Sequence, residues 1–222
     1  GLGEAADLLR GWDLRADEGS RAAALFYVWV EELRDEAARS LYGAGGWFPD
    51  YAVTATLERG TLPWAGGRGD VAYDSVARAA MLRADSIVAG RAWGALNHVL
   101  VEHALGTVGL VDRALDLDLG PFERAGSGYT VNVSNYGGDR PPYLTTHGPS
   151  QRHVVDMSNI DGAGGFILAG GQSGNPLSDH YADQFPAWRT GGLWRVPLER
   201  DAAAARIGSW TVLRPGDERP DE

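Results

Sequence analysis

The sequence predicts an α+β protein, helical in its first half and built on antiparallel strands in its second. Three observations carry this. Apolar residues recur at steps of three and four in the first part of the chain, and β-branched alternation replaces that period after Gly106. The third is glycine, which fills 31 of 222 positions, about twice the usual ~7% share, so tight turns must be numerous. Helices followed by strands favour layers of each kind over a parallel βαβ arrangement.

In Ser20–Tyr42 the residues Leu25, Phe26, Trp29, Leu33, Ala37 and Leu41 draw one stripe down a helix. Ser20 is placed to cap its start and Gly43 to stop it. Between Gly43 and Asp70 paired glycines and prolines interrupt a short helix near Tyr51–Glu58, and the segment reads as a surface connection. A second long helix is expected over Ser75–Ala89, with Val76, Ala79, Ala80, Leu82 or Arg83, and Ile87 on its apolar stripe. A third is expected over Ala92–Leu105. Three strands follow, at Tyr129–Ser134, Gln151–Met157 and Gly165–Ala169. The last two are joined by a hairpin-like link and should pair antiparallel. Asp179–Thr190 reads as a short helix broken or ended near Pro186, and Ser209–Arg214 as a final strand. The organisation is therefore a mainly helical region over 1–106, a β-rich region over 107–214 and a charged tail over 215–222. So few strands leave sheet edges that need covering, which suggests completion by strands from elsewhere.

Composition removes several function classes. The 30 acidic and 20 basic residues, all of the latter Arg, give a net charge of −10, which argues against a phosphate-backbone partner. The chain has no Cys, so thiolate nucleophiles, Fe–S clusters and Cys-ligated zinc are excluded. No apolar run approaches the roughly 20 residues that cross a bilayer, and residues 1–15 lack the pattern of a signal peptide, so no membrane partner is expected.

The densest polar stretch runs from Gly170 to Gln184. Gly171-Gln-Ser173-Gly174 begins like a nucleophile elbow, yet Asn175 stands where the second outer Gly belongs, and Asn175-Pro176 starts a turn where a helix should follow. Ser173 therefore reads as a turn former. His180 and Asp183, three apart, share a face if their segment is helical, and could transfer a proton or hold a metal, but two ligands are too few for a metal site. The preferred role for His180, Asp183 and Gln184 is hydrogen bonding to the glycine-rich loop beside them. His98 and His103 fall on different faces of the expected helix, and His147 and His153 flank a loop with nothing to orient them. Arg152 is read as a buried charge paired with an Asp. Asp112, Asp116 and Asp118 lack the Gly and terminal Glu of a calcium loop and read as a solvated acidic face. Trp188, Trp194 and Trp210 are expected in core or interface.

Four stretches taken in order carry a resemblance. They are Trp12-Asp13 with the helix containing Trp29, then Trp93-Gly-Ala-Leu-Asn97 with His103-Ala-Leu-Gly106, then Gly148-Pro-Ser-Gln-Arg152 with Val154-Val-Asp156. The last is Gly171-Gln-Ser-Gly-Asn-Pro-Leu-Ser-Asp-His-Tyr-Ala-Asp-Gln184 with Trp188. Together they resemble the C-terminal part of the large chain of the penicillin acylase family, over about Leu8 to Leu198, with Ala104 where many relatives have Pro. The resemblance implies an N-terminal-nucleophile hydrolase with a four-layer sandwich of helices around two antiparallel sheets. It also implies a precursor that cuts itself to expose a terminal Ser, and export to the periplasm or outside the cell.

By motif order the nucleophile Ser and the oxyanion Asn lie upstream of residues 12–42, so no catalytic residue, metal or cofactor is assigned to this chain. Calcium, where a relative holds it, belongs to the missing portion. Arg152, Gln172, Ser173, His180, Asp183 and Gln184 are carried as a structural signature. The implied partners are the upstream segment of the large chain and the small chain of the same precursor, with an acyl-amide substrate. Two other expectations stand beside this one. The first is a non-catalytic binding module derived from the same fold, and the second is an independent hydrolase using Ser173, His180 and Asp183.

Overall fold

A computed structural model describes residues 2–43, 49–60, 73–106, 109–110, 115, 117–137, 140–209 and 211–212. Four helices lead: α1 (Leu2–Arg10), α2 (Arg21–Tyr42), α3 (Asp50–Arg59) and α4 (Tyr73–Val88). Ser20 caps α2 through its Oγ, which accepts the Ala23 N–H at 3.1 Å, and Gly43 follows the last turn with its N–H on the Arg39 carbonyl. Of the expected stripe on α2, Leu33 and Ala37 are fully inside, Leu25 is nearly so, and Phe26 and Trp29 are partly buried. On α4 the buried positions are Val76, Ala80, Ala84 and Val88. That is a cleaner four-residue step than the sequence suggested, and it turns Leu82 outward. Small alanines at the contact let α4 lie close to α2. Arg83 of α4 then clamps the pair at its polar margin, reaching Glu32 at 2.7 Å and Glu36 at 2.5 Å.

The third expected helix is absent. Residues 92–96 turn and β1 (Asn97–Val101) follows, with Asn97 and Val99 buried. Gly94 breaks the helical period there, and Val99 and Val101 supply the β-branched alternation that a strand prefers. β2 (Leu119–Glu123), β3 (Asn135–Gly137) and β4 (Tyr143–His147) complete a four-stranded sheet of order β2-β1-β4-β3. β1 pairs antiparallel with β2 and β3 with β4, but β1 and β4 run parallel. The expectation of antiparallel sheets is corrected at this pair. The chain between them already carries β2 and β3, enough length for the crossover a parallel pair requires.

Tyr129–Ser134, expected as a strand, is a tight loop closed by a bridge between Ser127 and Val133. Its hydroxyls win the backbone groups a strand would have used. Thr130 Oγ1 accepts the Ser127 N–H at 2.9 Å, and Ser127 Oγ accepts the Tyr129 N–H at 3.2 Å. The second sheet is as expected, with β5 (Gln151–Val154) antiparallel to β6 (Gly165–Leu168), although a helical turn, α5 (Ile160–Ala163), occupies the link. Pro186 starts rather than ends the following helix, α6 (Phe185–Thr190). A proline in the first turn forfeits no helical hydrogen bond. A last helix, α7 (Arg200–Ala204), closes the described chain. Of the expected final strand, Trp210 and residues 213–214 lie outside the described residues, and so do Asp112 and Asp116.

The helical core continues into the sheet through aromatic contacts. Trp93 is fully buried between Tyr27, Tyr136 and Tyr143, at ring separations of 4.9, 6.0 and 6.0 Å. Val99 of β1, Ile167 of β6 and Phe185 and Trp188 of α6 form a second cluster that joins the two sheets. Four outer edges have no further strand among the described residues: β2, β3, β5 and β6, the last met only by an isolated bridge between Phe166 and Trp194. Apolar side chains stand exposed on two of these margins, Phe122 on β2 and Val154, Val155 and Met157 on and after β5.

Candidate functional site

Of the residues singled out in the sequence, Asn97, Arg152 and Trp188 meet around Arg124 at the ends of β1, β5 and α6. Asn97 opens β1 with its side chain fully buried. Its Nδ2 donates to the Arg124 carbonyl at 2.9 Å and to Ser134 Oγ at 3.1 Å. Ser134 in turn shares a 2.7 Å hydrogen bond with Thr145 of β4. Trp93 Nε1 donates to the Gly126 carbonyl at 2.7 Å. The stretch Trp93 to Asn97 is thus a clamp on the loop after β2, and that loop positions Arg124.

Arg124 is fully buried, with its guanidinium 3.9 Å from the centroid of the Trp188 ring. Its Nη2 donates to the Val133 carbonyl at 2.6 Å, while Nε and Nη1 have no acceptor among the described residues. Burial, with the nearby Arg152 charge as a second cause, pulls the Arg124 pKa down to about 10. Arg152 of β5 is buried as expected, but its partner is not an Asp. Nη1 donates to Asn132 Oδ1 at 2.7 Å, and Nη2 donates to the carbonyls of Trp188 and Gly192 at 3.0 Å each. An amide and two carbonyls do the work assigned to a carboxylate, so the charge is solvated rather than neutralised. Burial lowers this pKa as well.

The loop 170–184 packs beside this cluster. Gln184 is buried, and its Oε1 accepts the Leu168 N–H at 2.9 Å, holding the end of β6. Gly171 sits against the neighbouring turn, where a Cβ would come within 2.0 Å of the His180 carbonyl. Ser173 N–H donates to that same carbonyl at 3.1 Å, and its Oγ accepts the Asn175 N–H at 3.1 Å in a local turn. Turns occupy 179–184 in place of the expected helix. His180 and Asp183 nevertheless meet, Nδ1 to Oδ2 at 2.8 Å, with the ring largely exposed. The hydrogen bond to Asp183, and then its charge, raise the His180 pKa. Gln172 is exposed.

The remaining histidines are separate. His103 lies 6.3 Å from the Tyr181 ring, His147 bonds Thr146 and His153 lies 6.1 Å from the Phe166 ring. No three His, Asp or Glu side chains are grouped for a metal among the described residues. Sequence reasoning missed Arg124 and Asn132, whose roles depend on a loop conformation that no local period announces. Among the described residues the Ser173 hydroxyl accepts the Asn175 N–H and the His180 ring bonds Asp183, with no hydrogen bond joining the Ser173 hydroxyl to the His180 ring.

A sequence model of the family described as penicillin amidase matches residues 2–205. The chain belongs to the penicillin amidase family. Both the Trp93–Asn97 clamp and the Gly170–Gln184 loop lie inside the matched span. The chain is 31% identical over 221 residues to the penicillin acylase 2 proenzyme of a Pseudomonas species, a match covering 93% of this chain and 28% of that protein. It is 37% identical over 83 residues to the acyl-homoserine lactone acylase QuiP of Pseudomonas aeruginosa, covering 37% of this chain and 10% of that protein. The QuiP of Pseudomonas syringae pv. tomato is 32% identical over 109 residues, covering 46% and 13%. The chain thus spans little more than a quarter of the length of the proenzyme and less of the two lactone acylases. No described helix is long and apolar enough to cross a membrane.

Proposed function

We propose that this polypeptide is the C-terminal portion of a penicillin acylase-like amidohydrolase, acting as the structural support of a site whose nucleophile is carried upstream. Unpaired sheet edges, two of them with exposed apolar flanks, in a chain that matches 28% of an acylase proenzyme, are the observation behind this. A free edge invites a further strand. In the assembled enzyme the strands of this chain complete two sheets of a four-layer sandwich, with α2 and α4 in an outer layer. The other strands come from the upstream segment of the large chain and from the small chain of the same precursor.

The reaction in this proposal is hydrolysis of an acyl amide. A terminal Ser has its own base in its α-amino group, whose ordinary pKa lies near 8. The hydroxyl attacks the amide carbonyl, the amine leaves with the transferred proton, and water releases the carboxylic acid from the acyl-enzyme. Backbone N–H groups and an Asn side chain stabilise the oxyanion. None of these groups is assigned to this chain, and calcium, where present, is assigned to the upstream portion. An exported enzyme is the setting that the family resemblance implies. The names of the relatives favour penicillins or acylated homoserine lactones as the substrate class.

Size-exclusion chromatography with thermal unfolding tests the support role. Aggregation or a weak, broad transition for the chain alone, with a monodisperse complex and a sharp transition after co-expression with an upstream segment, is expected. A stable monomer indifferent to that segment would instead indicate a self-contained binding module.

A further inference from the structure

A cavity of about 500 Å³ opens between β6, the Gly170–Gln184 loop and α7. Its size suits a small organic ligand. Phe166, Trp194, Val196, Pro197 and Ala203 supply apolar walls, and Trp194 and Val196 are each more than two-fifths exposed. The polar lining is rich in donors. Arg206 spends one N–H on the Arg195 carbonyl at 2.9 Å, and Arg195 bonds the carbonyls of Asp161 and Gly162 at 3.1 and 2.7 Å. Neither guanidinium meets a carboxylate among the described residues, although acidic residues outnumber basic ones by 30 to 20. Gln184 is only 3% exposed, and while its Oε1 is used by Leu168, its Nε2 has no acceptor among the described residues. Gln172 adds a second amide to the lining.

We propose that this cavity binds a small amphipathic carboxylate, with its tail on Trp194, Val196 and Phe166 and its head between Arg206, Arg195 and Gln184 Nε2. A carboxylate offers acceptors only, which matches a rim of donors, and charge-assisted bonds are stronger than neutral ones. An uncharged amphiphile would leave the guanidinium groups unanswered, and a short polar anion would leave the apolar walls wet. Gln184 then serves two sides at once, fixing β6 with its oxygen and the ligand with its nitrogen. The acid released in the proposed acylase reaction is itself a carboxylate, so the Arg206→Gln protein, and not saturation alone, separates this cavity from an acyl pocket.

Isothermal titration of octanoate into the folded protein, as the chain alone or with its upstream segment, tests it. One saturable site is expected, with octanol and acetate each binding at least tenfold more weakly. Arg206→Gln should weaken octanoate about tenfold without lowering the melting temperature. Gln184→Glu keeps an oxygen for the Leu168 N–H but replaces the donor with a repelling charge, and should abolish saturation at concentrations that fill the parent. Equal affinity for octanoate and octanol, or unchanged octanoate binding in the folded Arg206→Gln protein, would overturn the proposal. So would the absence of any saturable site in the folded parent, which is the result expected if another segment of the enzyme fills the cavity.

Discussion

Arg152 donates to Asn132 and to two backbone carbonyls inside the fold. Truncation strands three acceptors, each worth roughly 1–3 kcal/mol when left unpaired in the interior. Arg152→Ala should therefore lower stability by about 3 kcal/mol or more in urea unfolding, and a loss under about 1 kcal/mol would show that water replaces the guanidinium at little expense. Its burial was legible in the sequence, because Arg152 alternates with outward residues in an obvious strand. Its partner was not, since Asn132 lies in a stretch whose β-branched residues imitate a strand. At His180 the prediction concerns pH. The folded pKa is raised above the unfolded value by the hydrogen bond and charge of Asp183, so protonation favours the fold. That contribution is complete below about pH 6.5 and is lost as pH rises through the raised folded value. His180→Ala should cost more stability at pH 5.5 than at pH 8.5, read as the difference in urea midpoint from the parent, and an equal or reversed difference would refute the pairing. The exposed ring makes this effect small, as expected of a support residue.

At the scale of elements, Gly126 shows how much depends on one loop. Its φ of +91° is a conformation L side chains rarely adopt, and a Cβ there would lie 1.9 Å from the Asn132 carbonyl. Its own carbonyl accepts Trp93 Nε1, and its N–H reaches the Ala16 carbonyl at 2.7 Å. Gly126→Ala should destabilise by roughly 2–4 kcal/mol and broaden the near-ultraviolet signal of Trp93, a change measurable by circular dichroism. Native-like stability would mean that the clamp tolerates movement. The long helices and the β5–β6 pair were readable because their periods run uninterrupted. β1 was misread as helix because Trp93, Leu96 and Leu100 sit at helical steps, and only Gly94 and the two valines mark the change. β2 and β4 contain Gly, Pro and Thr at positions where no alternation develops, so pairing with β1 makes them strands.

For the molecule as a whole, membership of the penicillin amidase family and the open sheet edges point the same way. The family was readable in four ordered motifs, and in three of them Trp93 and Asn97, Arg152, and Gln184 hold loops to strand ends. Parallel pairing of β1 with β4 and the buried cationic cluster were not, since both arise from contacts between distant segments. In the proposed assembly the reactive amine and hydroxyl belong to the upstream segment, and this chain contributes the frame. Hydrolysis of an acyl-amide panel, including a penicillin and an acyl-homoserine lactone, should be measured for this chain alone and for its complex with a segment that begins with Ser. Turnover only in the complex, lost when that terminal amine is blocked, is the expected result. Turnover by the isolated chain, abolished by Ser173→Ala, would contradict it.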